Sequence, residues 1–124
     1  MDGEITPADV KALLDDDAAV RVVDIRPEGA YAQGHIPGSE NVPFPRLTRD
    51  VERFAGAERV VTVCPHGQSS VQAANLIASY EGIDEDATVE SMAGGLTAWE
   101  WGLETAAREA DEGPAPDGTP DAPF

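Results

Sequence analysis

Cys64 is the only cysteine of the 124-residue chain, and its neighbours are of the kinds that make a thiol reactive. It opens the loop Cys64-Pro65-His66-Gly67-Gln68-Ser69-Ser70, which follows the β-branched run Val60-Val61-Thr62-Val63. Behind the loop, Val71-Gln72-Ala73-Ala74-Asn75-Leu76-Ile77-Ala78 reads as a helix. A strand, a glycine-bearing loop and a helix N-terminus bring unpaired amide N–H groups together as an anion cradle. A thiol at the base of such a cradle titrates low, because the helix dipole and the donors favour thiolate. The chemistry expected of Cys64 is nucleophilic. The competing reading is a small buried hydrophobe, the usual state of a free cysteine.

The elements that must hold this loop can be read along the chain. Thr6 as N-cap and Pro7 at the first helical position start a helix through Leu13 and Leu14, ending near Asp15-Asp16-Asp17. Val20–Ile25 is a short apolar run suited to a buried parallel strand. A short helix over Glu28–Gln33 precedes the punctuated loop Gly34-His35-Ile36-Pro37-Gly38. Arg46–Ala55 is predicted helical, with Leu47, Val51 and Phe54 on one face. Strand Arg59–Val63, the cysteine loop and a helix Ser70–Tyr80 follow, one of the two serines capping the helix. Ala87–Ser91 is the last strand, and Gly94-Gly95 leads into a helix bearing Trp99. Alternating strands and helices imply an α/β layer structure with a mostly parallel sheet. Ligands of such sheets sit beyond the carboxyl ends of the strands, where Cys64 falls.

Length suits one domain, placed at residues 1–108. From about Glu109 the chain turns to Pro, Gly and Asp, so residues 109–124 are expected to be a disordered tail that adds no core. No stretch approaches the roughly 18 apolar residues of a membrane span. The acidic start lacks the features of a signal peptide, and one cysteine makes no internal disulfide. A soluble cytoplasmic protein, monomeric by default, is the expectation.

Twelve Asp and twelve Glu oppose seven Arg and the single lysine Lys11, for a net charge of −16. That balance repels nucleic acid and anionic lipid, whose binding needs basic surface. It looks like the composition of proteins from salt-accumulating halophiles, because at 1 M salt the screening length falls to about 3 Å and self-repulsion fades. The fold is accordingly expected to weaken in dilute buffer. Equal melting temperatures there and in molar KCl would contradict this.

Several motifs, in one order, carry a family resemblance: Val23-Asp24-Ile25-Arg26, Tyr31-Ala32-Gln33-Gly34-His35-Ile36-Pro37-Gly38-Ser39 and Asn41-Val42-Pro43. The cysteine loop and Gly94-Gly95-Leu96-Thr97-Ala98-Trp99 complete the set, which spans about residues 5–104. The chain resembles a single-domain rhodanese-like sulfurtransferase. The resemblance implies the rhodanese fold, a parallel sheet of about five strands flanked by helices. It also implies that Cys64 takes sulfane sulfur from a donor such as thiosulfate or a protein persulfide, holding it as a persulfide. Cyanide or a protein thiol would then remove the sulfur, dividing one transfer into two displacements without a cofactor. Amides of His66, Gly67, Gln68, Ser69 and Ser70 would hold the charge, since Pro65 has no N–H, with the Ser69 and Ser70 hydroxyls as further donors. Ser69 stands where many rhodaneses carry Arg, and Ala30 replaces an acid common before the aromatic of the second motif. The first departure, with the acidic surface, leads us to expect that thiosulfate is a poorer donor than a protein persulfide.

Among the remaining candidates, Gly67 is expected to supply a positive φ or a close anion approach. His66 either positions a donor or shifts the thiolate pKa, or is an exposed loop histidine without a role; Gln68 either lends its amide side chain or faces solvent, the second reading being preferred. Asp24 and Arg26 are expected to form a structural pair supporting the loop, and Gly94 and Gly95 to allow close passage beside it. His35 reads as structural and Trp99 as core; no ligand spacing supports a metal site from His35, His66 and Cys64. A cysteine phosphatase needs an Arg six positions after its cysteine to clamp phosphate, and position 70 is serine. A dithiol oxidoreductase lacks its second cysteine. The rival from another class is a rhodanese-like module that binds a partner or senses oxidants without turnover.

Overall fold

A computed structural model of the chain describes residues 2–105; the expected tail at 109–124 lies outside the described residues. Five parallel strands form one sheet: β1 (Glu4–Ile5), β2 (Arg21–Asp24), β3 (Glu40–Asn41), β4 (Arg59–Val63) and β5 (Thr88–Met92), in the order β1-β5-β4-β2-β3. β4, which delivers Cys64, is central and fully paired. Its register sets Asp24 beside Val63 and Thr62 beside Ser91. Parallel strands covered on both faces need apolar residues on both, and these strands supply them. Val23 and Val60 point to one core cluster, Val22 and Val61 to the other, as the twofold period of a strand requires.

The helices are α1 (Pro7–Asp15), α2 (Glu28–Gln33), α3 (Phe44–Asp50) and α4 (Ser69–Ala78). Val10, Leu13 and Leu14 bring α1 onto one face of the sheet. Leu47 of α3 and Ala73, Ala74 and Ile77 of α4 cover the other, in the cluster that includes Cys64. Each aliphatic side chain of Val or Ile size so buried contributes about 1.5–3 kcal/mol relative to exposure. No described helix is long and apolar enough to cross a membrane.

Most elements fall where the sequence places them, and Thr6 caps α1 by accepting from the Asp9 amide at 3.1 Å. Four features differ. β1 and β3, two residues each, have no counterpart in the apolar pattern. α3 begins at Phe44 rather than Arg46, because prolines at the first turn cost no helical hydrogen bond. It passes at Val51 into a 3-10 turn, Val51–Phe54, that sinks Phe54 into the core. The segment after Gly94 is a 3-10 turn, Gly95–Ala98, rather than a helix bearing Trp99; Trp99 follows it in extended conformation and packs against the α1-side core.

Candidate active site

The residue after β4 carries its side chain to the α4 side of the sheet, so Cys64 is only 2% exposed. The chain then turns through Gly67, at φ +87°, and enters α4 at Ser69. The Gly67 amide donates to Cys64 Sγ at 3.1 Å and the Ser70 amide at 3.2 Å. The Ser70 hydroxyl lies 3.3 Å from the same sulfur. The expectation that Ser69 or Ser70 caps α4 is therefore corrected: no side chain caps this helix, and the sulfur occupies the space a capping oxygen would take. The Ser70 hydroxyl is committed to Cys64 and to Ser91 Oγ, 2.7 Å away.

These contacts decide how the thiol ionises. Burial pushes its pKa up, whereas the Ser70 hydroxyl and then the Ser70, Gly67 and His66 amides push it down; the net is a pKa below that of an ordinary cysteine. A lowered pKa enlarges the thiolate fraction at neutral pH and moves its loss to more acid solution. Alkylation of Cys64 by iodoacetamide is thus expected to fall off at a lower pH than in the unfolded chain. A midpoint equal to or above the unfolded one would contradict this.

A second segment braces the loop. The Leu96 amide donates to Cys64 O at 2.8 Å and the Thr97 amide to Pro65 O at 3.1 Å. Backbones this close leave no room for a side chain between them. A Cβ on Gly95, at φ +65°, would stand 2.4 Å from Cys64 O and 2.5 Å from the Gly67 nitrogen. Close passage of Gly94-Gly95 beside the loop is what the structure contains.

Asp24 and Arg26 form the expected pair, at 2.8 Å with Asp24 fully buried. Arg26 Nη2 also donates to Gly34 O at 2.6 Å, and Asn41 donates to the carbonyls of Asp24 and Arg26. The pair supports the loop indirectly, since the intervening Ile25 amide donates to Val63 O, one residue before Cys64. Removing one member of such a buried pair costs about 3–5 kcal/mol, through the charge left behind.

Of the loop residues, Gly67 and Ser70 face the sulfur with amide or hydroxyl and His66 with its amide, whereas the side chains of His66, Gln68 and Ser69 lie on exposed residues. His35 is structural, its Nδ1 2.8 Å from Tyr31 O and its ring stacked on Tyr31. Among the described residues no group of three His, Cys, Asp or Glu is arranged to hold a metal ion. Sequence reasoning missed Ser91 and Thr62, both fully buried in strands. Thr62 Oγ1 donates to Ser70 O at 2.7 Å and so fixes the first turn of α4. The available signal for Thr62 was a lone hydroxyl residue in the apolar run Val60–Val63, whereas Ser91 shares β5 with Thr88 and Glu90 and carried no such signal.

Known proteins resemble this chain in sequence and fold. The family model of the rhodanese-like domain matches residues 6–100. A thiosulfate sulfurtransferase GlpE from Pseudoalteromonas translucida is 36% identical over 96 residues, covering 77% of this chain and 87% of that protein. Its counterpart from Shewanella oneidensis is 35% identical over 81 residues, covering 65% and 76% respectively. Among solved structures, a rhodanese-like domain protein from Staphylococcus aureus superposes with a TM-score of 0.72 at 28% identity, over 85% of this chain and 98% of that one. With the family model spanning strands β2 to β5, the cysteine loop and the Gly94-Gly95 brace, the chain belongs to the rhodanese-like domain family.

Proposed function

We propose that this protein is a sulfurtransferase that carries sulfane sulfur as a persulfide on Cys64. The observation that supports it most directly is a buried sulfur that accepts from two amides and adjoins a hydroxyl, at the carboxyl end of the central strand. The similarity to proteins named thiosulfate sulfurtransferase adds to it. In the first displacement the Cys64 thiolate attacks the outer sulfur of the donor. The donor's S–S bond breaks and its leaving group, sulfite in the case of thiosulfate, departs with the bonding pair. Cys64–S–S⁻ remains, with the Gln68 and Ser69 amides as the loop donors left for the outer sulfur. In the second displacement a thiol or cyanide attacks that outer sulfur and Cys64 leaves as thiolate, so both electron pairs are accounted for.

The names of the relatives favour thiosulfate as the donor. The loop 64–70 carries no Arg or Lys, however, and a net charge of −16 opposes approach of a dianion. We take a protein persulfide as the faster donor, accepted at the loop mouth by backbone donors that ask for no cationic partner. Steady-state rates with each donor in molar KCl, where long-range repulsion is screened, test the assignment. A clearly faster thiosulfate reaction would overturn it and leave the persulfide chemistry standing. No transfer from either donor, in folded protein with a free thiol, would favour the partner-binding or oxidant-sensing module.

A further inference from the structure

Ser91 is the third group in a buried chain of polar atoms that begins at the nucleophile. Cys64 Sγ lies 3.3 Å from Ser70 Oγ, which lies 2.7 Å from Ser91 Oγ, and Ser70 and Ser91 have no solvent exposure. A hydroxyl has one proton to donate, so the direction of each link depends on the charge of the sulfur. With a neutral thiol, S–H donates to Ser70 and Ser70 donates to Ser91. With a thiolate, Ser70 must donate to the sulfur, and the short link survives only if Ser91 donates to Ser70.

Resting on the sulfurtransferase reading above, we propose that Ser91 is a positioning residue for the transfer: its hydroxyl turns the Ser70 hydroxyl toward Cys64 Sγ whenever that sulfur carries charge. No proton crosses the chain; the thiol proton leaves to solvent, and each hydroxyl keeps its own proton and rotates. Donation by Ser91 polarises the Ser70 O–H, and in a site closed to water such linked bonds reinforce one another. The charge is on Sγ at two moments, before attack on the donor and again as Cys64 departs from its persulfide. Ser91 therefore favours Cys64 as a leaving group, because the thiol of lower pKa leaves faster. Between those moments the charge sits on the outer sulfur and Ser70 is free to turn back to Ser91.

Charged side chains on the surrounding elements are engaged elsewhere. Asp24 at the end of β2 pairs with Arg26, Arg21 of β2 with Glu40 of β3, and Glu90 of β5 with Arg59 of β4. On α3, Arg49 pairs with Asp50 and Arg46 with Glu28, the Arg46 Nε being buried without a partner among the described residues. On the loop itself the titratable side chain is the exposed His66, and α4 carries no acidic residue in its first turn and no basic one in its last. The hydroxyl pair is thus the adjustable element beside the sulfur.

The test is a mutant cycle read by Cys64 alkylation against pH, which requires no sulfur transfer, and by cyanide discharge of the preloaded persulfide. Ser91→Ala is expected to raise the alkylation midpoint by about half a unit, or roughly threefold less thiolate below it. Discharge should slow about twofold. In a Ser70→Ala background, Ser91→Ala should add nothing to either readout, an outcome that a packing role would not produce. Ser91→Thr should keep the wild-type midpoint and its near-isostere Ser91→Val should not, a comparison that decides the matter if the alanine variant fails to fold. An unchanged midpoint in Ser91→Ala, or equal midpoints for Thr and Val, would overturn the proposal, as would an undiminished shift without Ser70. If wild-type protein accepts no sulfur, the sulfurtransferase reading fails while the alkylation cycle still judges Ser91.

Discussion

Gly95→Ala is expected to lower the melting temperature by about 15 °C or more and to abolish the low-pH reactivity of Cys64. Three costs combine. Alanine at φ +65° adopts a left-handed conformation worth about 1–2 kcal/mol of strain. Its Cβ meets only backbone within 2.6 Å, at Cys64 O and at the His66 and Gly67 nitrogens, so no flexible side chain can yield. Moving the two segments apart then loses the bonds from Leu96 to Cys64 O and from Thr97 to Pro65 O, at about 1 kcal/mol each. Gly29→Ala is the control, since it lies in α2 with nothing within 4 Å of the added methyl and should be neutral or slightly stabilising. A Gly95→Ala protein melting within a few degrees of wild type would show that the brace is not what shapes the loop.

Cys64→Ser should have the opposite profile, an intact fold without transfer. A serine oxygen can accept from the same Gly67 and Ser70 amides, so the loop keeps its donors paired and the melting temperature should move by only a few degrees. Turnover should vanish, because an alkoxide is not formed at neutral pH and oxygen does not exchange sulfane sulfur as a thiolate does. Steady-state transfer to cyanide, measured beside thermal melts, checks both halves. Residual turnover above the uncatalysed rate would place the nucleophile elsewhere.

The strand–loop–helix unit around Cys64 was legible because each part carries a local signal: β-branched residues, then Pro and Gly, then an apolar helical face. The pair Asp24 and Arg26 was legible for a similar reason, two residues apart at the end of one strand. β1 and β3 were not, since Glu4–Ile5 and Glu40–Asn41 are strands only by virtue of their pairing with β5 and β2. The Ser70 hydroxyl was expected beside the sulfur and is found there. The serine cap was expected because helix starts favour serine, and a buried sulfur competing for the same amides has no sequence signature. Ser91 lies 21 residues from Ser70 and reaches it only through the register of β4 and β5. Local chemistry was readable; the contacts that tune it belong to the sheet.

The most direct test of persulfide chemistry at Cys64 is the intact mass of reduced protein after exposure to thiosulfate in molar KCl, beside Cys64→Ser, with a protein persulfide donor as a second arm. A gain of one sulfur atom from either donor, absent in the variant and reversed by cyanide, is the predicted result. No gain from either donor in folded protein with a free thiol, or an equal gain in Cys64→Ser, would contradict the account.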